Sequence, residues 1–188
     1  MKKIISALSI ATAAFSINAQ AQDAAGAQFS FLNGYNAPNT TTVKGIRLSI
    51  FHGKSGDVSG ADFSLLGMSE VDNLNGVHIP LFIGANRVHN SMTGAAFGLF
   101  NWHEGQDVGA NIAFVNMTNN VKGANLGAVN IAKGNTMADI SVVNLSASSN
   151  FQLGIFNKTD AIKGVQIGLI NCADNGFLPC FPFVNFAK

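Results

Sequence analysis

The side chains with chemistry to offer are few: four histidines (His52, His78, His89 and His103), two cysteines (Cys172 and Cys180) and ten carboxylates. Acid-base catalysis needs a histidine or paired carboxylates held within reach of the same atoms. The four histidines instead fall at different places of a repeat or between repeats, and His103, beside Trp102, reads as a surface loop residue. The Asp and Glu residues stand singly, without the close pair that glycoside hydrolysis uses, and read as a solvated face. The expectation is a protein that is not an enzyme and holds no cofactor. Cys172 and Cys180 flank the turn signal Asn175-Gly176, which could bring them together as a disulfide or leave two buried thiols. Metal binding needs more donors than Asp174 adds to that pair.

The chain of 188 residues carries 11 basic and 10 acidic groups, with 11% charged and 47% hydrophobic residues. So even a balance gives no field to gather nucleic acid or an anionic surface, so no nucleic-acid partner is expected. Residues 1–21 read as a secretory leader. Lys2 and Lys3 precede the apolar stretch Ile4 to Ile17, and Ala19-Gln20-Ala21 supplies small residues for cleavage after Ala21. The stretch is shorter than the ~20 residues that span a bilayer. Export to the periplasm, outer membrane or cell surface is the expected fate.

What must position any site is a repeat. Gly94-Ala95-Ala96-Phe97-Gly98-Leu99-Phe100-Asn101 aligns with units beginning at Gly109, Gly123, Met137, Asn150 and Gly164, spaced by 13 to 15 residues. These six units end on Asn101, Asn116, Asn130, Asn144, Asn157 and Asn171. Three diverged units begin at Gly45, Gly60 and Gly76, with His52, Gly67 and Ile83 where the asparagine would stand. Nine units therefore fill residues 45–171. Residues 22–44, polar at first and then alternating through Phe29 and Phe31 to Asn33-Gly34, form an N-terminal cap strand and loop. Residues 172–188, rich in Pro and Phe, form a C-terminal cap in which Pro179 and Pro182 block further pairing.

Read by column, the fourth residue of the unit is always large and apolar, from Leu48 through Phe97 and Leu126 to Ile167, and is expected to be core. The third column holds all three charges of the units, Arg47, Asp62 and Asp139, among polar residues, and is expected to face solvent. The fifth is small or Pro and marks a bend. With the bend at column five, column seven (Phe51 to Ile170) would fill the interior and column six (Ile50 to Leu169) would form an outward apolar stripe, too long to stay in water.

Two architectures make such a repeat. In an all-β solenoid of about nine short coils, equivalent residues stack about 4.8 Å apart, and stacked asparagines pass side-chain amide bonds from coil to coil. In an antiparallel outer-membrane β-barrel, each unit would be one strand, giving a pore or channel. The solenoid is the better fit. Column seven is apolar where a barrel lumen should be polar, a directional motif repeats in every unit, and one Trp and one Tyr make a poor girdle.

Gly164-Val165-Gln166-Ile167-Gly168-Leu169-Ile170-Asn171, with its relatives Gly123 to Asn130 and Gly94 to Asn101, resembles the tandem unit of a family of exported bacterial surface-repeat proteins. The leader and the end Leu178-Pro179-Cys180-Phe181-Pro182-Phe183 share the resemblance, which covers nearly the whole chain. It implies a bacterial cell-surface or envelope location and no reaction. The early units depart from it, lacking the asparagine and carrying Pro80 in the small column. The function expected is structural or interactive, through the apolar stripe, toward the outer membrane, a second copy or an apolar ligand.

Overall fold

The computed structural model describes residues 24–33 and 35–188, so the leader expected over residues 1–21 lies outside the described part. Among the described residues there is no helix. Eleven strands follow in chain order: β1 (Ala25–Ser30), β2 (Asn36–Ala37), β3 (Thr42–Ser49), β4 (His52–Ser64), β5 (Met68–Pro80), β6 (Ala85–His103), β7 (Gln106–Thr118), β8 (Asn120–Ile140), β9 (Val143–Leu153), β10 (Phe156–Ala173) and β11 (Cys180–Phe186). From β3 to β10 each strand pairs in parallel with the next. A chain that does this without crossover helices has to wind, and it forms a β-solenoid of about nine turns. Parallel pairing excludes the antiparallel barrel.

Each unit is one turn. Gly94 stands opposite Gly109 and Gly109 opposite Gly123, while Asn101, Asn116, Asn130, Asn144 and Asn157 form one row. Nine turns at ~4.8 Å make a rod about 43 Å long. The leading glycine turns a corner other residues resist: φ is 132° at Gly94 and 138° at Gly109, and a Cβ on Gly109 would overlap the Gly94 carbonyl. Between the units led by Met137 and Asn150, which lie only 13 residues apart, the ladder slips, with a register shift between Ala132 and Asn135.

The inward face is the reverse of the sequence expectation. Column three, from Arg47 and Asp62 to Gln166, is buried, and column four is half-buried or exposed on the outside. The turn Gly109 to Lys122 shows why. Asn111 and Ala113 point inward, the chain bends between Phe114 and Val115 so that neither does, and Asn116, Thr118 and Val121 resume the interior. The bend thus falls between columns six and seven, not at column five. Column seven does not fill the interior, and it lies outside with column six. Apolar interior residues are concentrated in the early turns, where Val43, Val58, Val71, Leu74, Val88, Met92 and Ala96 pack together.

Both ends are closed by the chain itself. β1 lies parallel to β3, with Gln28 opposite Arg47 and Ser30 opposite Ser49, so it adds a part-turn. β11 runs antiparallel along β10 and covers the last turn, with Cys180 opposite Cys172.

Candidate functional site

Six asparagines are brought together in the interior. Nδ2 of each donates to Oδ1 of the next: Asn101 to Asn116 at 3.1 Å, Asn116 to Asn130 at 2.9 Å, Asn130 to Asn144 at 3.0 Å, Asn144 to Asn157 at 2.8 Å and Asn157 to Asn171 at 2.7 Å. The second amide hydrogen of each also finds a backbone carbonyl, as when Asn144 bonds Leu153 O and Asn157 bonds Ile167 O, both at 2.9 Å. Leu153 O and Ile167 O also accept from the backbone of the neighbouring turn, from Ser141 N and Gly154 N at 3.0 Å, so the row adds side-chain bonds to the sheet ladder. The small fifth column makes room for it: a Cβ on Gly154 would stand 2.8 Å from Asn144 Nδ2 and 2.9 Å from Asn157 Oδ1. In the early turns His52, Gly67 and Ile83 do not occupy this row. Gly53, Ser69 and Asn86, in register with one another and buried, stand there instead, because the bends before them are longer.

Column three forms a second buried polar chain that sequence reasoning placed in solvent. Asn111 donates to Asn125 (3.1 Å), Asn125 to Asp139 (2.9 Å) and Gln166 to Gln152 (2.7 Å). Burial holds the Asp139 carboxyl above its ordinary value, against the hydrogen bonds from Thr136, Asn125 and Ser149. At the other end Arg47 Nη1 lies 3.3 Å from Asp62 Oδ1 and 2.6 Å from Ser69 Oγ, and its Nε donates to Gln28 Oε1 at 3.2 Å. Asp62 also accepts from Ser69 and from His78 Nδ1 at 3.0 Å. Burial alone would raise the Asp62 carboxyl, but the His78 hydrogen bond, the charges of His78 and Arg47, and the Ser69 hydroxyl bring it below its ordinary value. The amide-rich composition of column three, free of Lys and Glu, was the signal available for its burial.

His78 Nε2 lies 3.2 Å from Ser64 Oγ, so Ser64, His78 and Asp62 are connected in the order of a hydrolase triad. All three are fully buried inside the rod, where no substrate reaches them. His103, expected on the surface, is likewise buried, bonded to Asp107 at 2.8 Å. The expectation that acidic residues are solvated also fails for Asp62, Asp107, Asp139 and Glu70.

The two remaining histidines converge on the outer rim. Glu70 meets His52 Nε2 at 3.1 Å, Lys54 Nζ at 3.1 Å and His89 Nε2 at 2.8 Å, and His89 Nδ1 reaches Glu104 at 3.1 Å. Arg87 binds Glu104 at 2.7 Å and lies over the Trp102 ring at 4.1 Å. Burial pushes Glu70 up, but hydrogen bonds from His89, Lys54 and His52 outweigh it and bring the carboxyl down to about 2. The Glu70 hydrogen bond raises His89. These groups neutralise one another, and among the described residues no set of three or more His, Cys, Asp or Glu could hold a metal ion. Cys172 and Cys180 are joined as a disulfide, which ties the cap strand β11 to β10.

The outside carries the largest uniform feature. Columns two, four, six and seven supply 36 residues across the nine units, none with a polar side chain. Leu99 is 52%, Phe114 65%, Ile155 54% and Leu169 59% exposed. Between columns four and six a groove of about 370 Å³ runs along the last turns, lined by residues such as Ile140, Val142, Leu153 and Ile155 over Gly127, Gly154 and Gly168. Burying ladders of amides while exposing ladders of aliphatic side chains is the inverse of an ordinary soluble domain.

Comparison with protein-family models, curated proteins and solved structures returned no match to this chain.

Proposed function

We propose that this is a non-enzymatic, exported bacterial envelope or cell-surface protein that acts as a rigid interaction scaffold through its outer apolar face. One observation carries the reading: four adjacent outward columns without a polar side chain run the length of a rod about 43 Å long. A patch of that extent matches or exceeds the ~300–600 Å² typical of the largest patch on a monomer, and such patches mark contact with partner or membrane. The hydrogen-bonded interior supplies what a scaffold needs, a rod whose turns are locked to one another by side chains as well as by backbone. Export is supported by the leader sequence and by the likeness of the repeat unit to exported surface-repeat proteins. A non-enzymatic role is supported by the sealing of Ser64, His78 and Asp62 inside the rod.

The test places lysine at Leu99 and Ile155, both exposed, so that the fold is retained while the face is charged. The double variant is expected to lose self-association and membrane partitioning alike. Unchanged behaviour in both, with an intact β-type circular dichroism spectrum, refutes the interaction face. Mass spectrometry of the chain recovered from envelope fractions, expected to begin at Gln22, checks export.

A further inference from the structure

We propose that the partner of the apolar face is a second copy of this chain, docked face to face about a two-fold axis parallel to the rod. The inference rests on the interaction face proposed above and names what covers it.

Shape supports this partner. Columns four and six stand as two ridges on either side of the groove floored by Gly127, Gly154 and Gly168. Beside column four, column two is alanine in four successive turns, Ala95, Ala110, Ala124 and Ala138, and makes a low shelf. A two-fold axis running along the rod between columns four and five lays ridge four of each copy in the groove of the other. The same rotation lays ridge six of each copy beside the alanine shelf of the other, in the gap between columns two and four. Both contacts form at once, as an isologous interface requires. The turns repeat at the same spacing in both copies, so the side chains interdigitate over the later turns, where the groove and the shelf lie, as facing sheets do at ~10 Å.

Area and charge point the same way. Columns two to six span four residues at ~3.3 Å, so the face measures about 13 by 43 Å, or roughly 560 Å² in projection per copy. Two copies cover roughly 1,100 Å² before corrugation is counted, which places the contact at the threshold of stable interfaces, ~1,200 Å². The face carries no charge, so identical copies do not repel. A lipid surface has less to hold. The turns that carry the exposed lysines Lys122, Lys133, Lys158 and Lys163 also carry the exposed carboxylates Asp160 and Asp174, and the single Trp lies beneath Arg87 instead of forming an interfacial belt.

Sedimentation equilibrium of the purified protein in detergent-free buffer tests the proposal. A dimer is expected. Ala110→Leu with Ala124→Leu should weaken it at least tenfold, because the leucines fill the shelf even though they make the face more apolar. Leu99→Ala with Leu169→Ala, at exposed positions that leave the fold undisturbed, should weaken it similarly by lowering ridge six. A monomer at every concentration up to ~100 μM overturns the proposal, as does a dimer indifferent to both variants. A monomer that floats with phosphatidylcholine vesicles, and does so more strongly with the two leucines, also overturns the second copy while leaving the interaction face standing.

Discussion

Asn157 and Gly168 share one small volume inside the last turns: a Cβ on Gly168 would stand 2.6 Å from Asn157 Nδ2. At this turn the absent side chain leaves room both for the amide of the turn before it and for the Gly154 carbonyl, which a Cβ would approach to 2.0 Å. Gly168→Ala is expected to destabilise by about 1 to 3 kcal/mol through overpacking. In a double-mutant cycle with Asn157→Ala the two losses should not add, since part of the clash leaves with the amide. Additive losses by urea unfolding would separate the columns.

Asn130 sits in mid-row, accepting from Asn116 at 2.9 Å and donating to Asn144 at 3.0 Å and to Asn125 O at 2.9 Å. Asn130→Ala strands these groups in a dry interior and should cost about 1 to 3 kcal/mol. Lys133→Ala, on the exposed side of the same turn, should stay within ~0.5 kcal/mol. Thermal melts of the two variants check the contrast, and equal melting temperatures would show the row to be dispensable.

Removing Arg47 leaves Asp62 with less to offset its burial. Arg47→Met is expected to cost about 3 to 5 kcal/mol, because one partner of a buried ion pair is removed and Asp62 keeps only His78 and Ser69 against its burial. Hydrogen exchange should show the opening concentrated in β3 to β5, with β8 to β10 protected, since turns contact only their neighbours.

Acid sensitivity follows from Glu70. Its carboxyl is depressed from the ordinary ~4.3 to about 2 in the fold. It therefore contributes stability that is fully present above ~4.3 and is lost as pH falls toward about 2. His89 has the opposite sign: raised by Glu70, it stabilises below the ordinary histidine value of ~6.5 and that contribution is lost as pH rises through its folded value. The stability gap between wild type and Glu70→Gln, measured by urea unfolding from pH 7 to pH 2, should be largest near pH 5 to 6 and close in acid. A gap constant across the range would remove Glu70 as its source.

The repeat made the winding legible from the sequence alone. An asparagine, a small residue and a glycine recurring every 13 to 15 residues are useful only where equivalent residues stack, because side-chain amide bonds between turns and backbone contact between glycines require identity at the same height. Asn101 to Asn171 could be singled out for that reason.

What the sequence did not decide was which face of the strand is inside. Alternation says only that columns three and five share one face and four and six the other, and the usual assumption puts the apolar face inward. The position of the bend chooses between them. Once it falls between columns six and seven, column eight joins columns three and five, and a buried asparagine row then requires Arg47, Asp62 and Asn111 to be buried with it. Tertiary structure made that choice because partners for these groups exist only when neighbouring turns are stacked. Asp62 finds Arg47 15 residues before it and His78 16 residues after it, and neither contact is written in the local sequence. The same stacking turns single exposed aliphatic residues, each unremarkable in its own unit, into continuous outer rows.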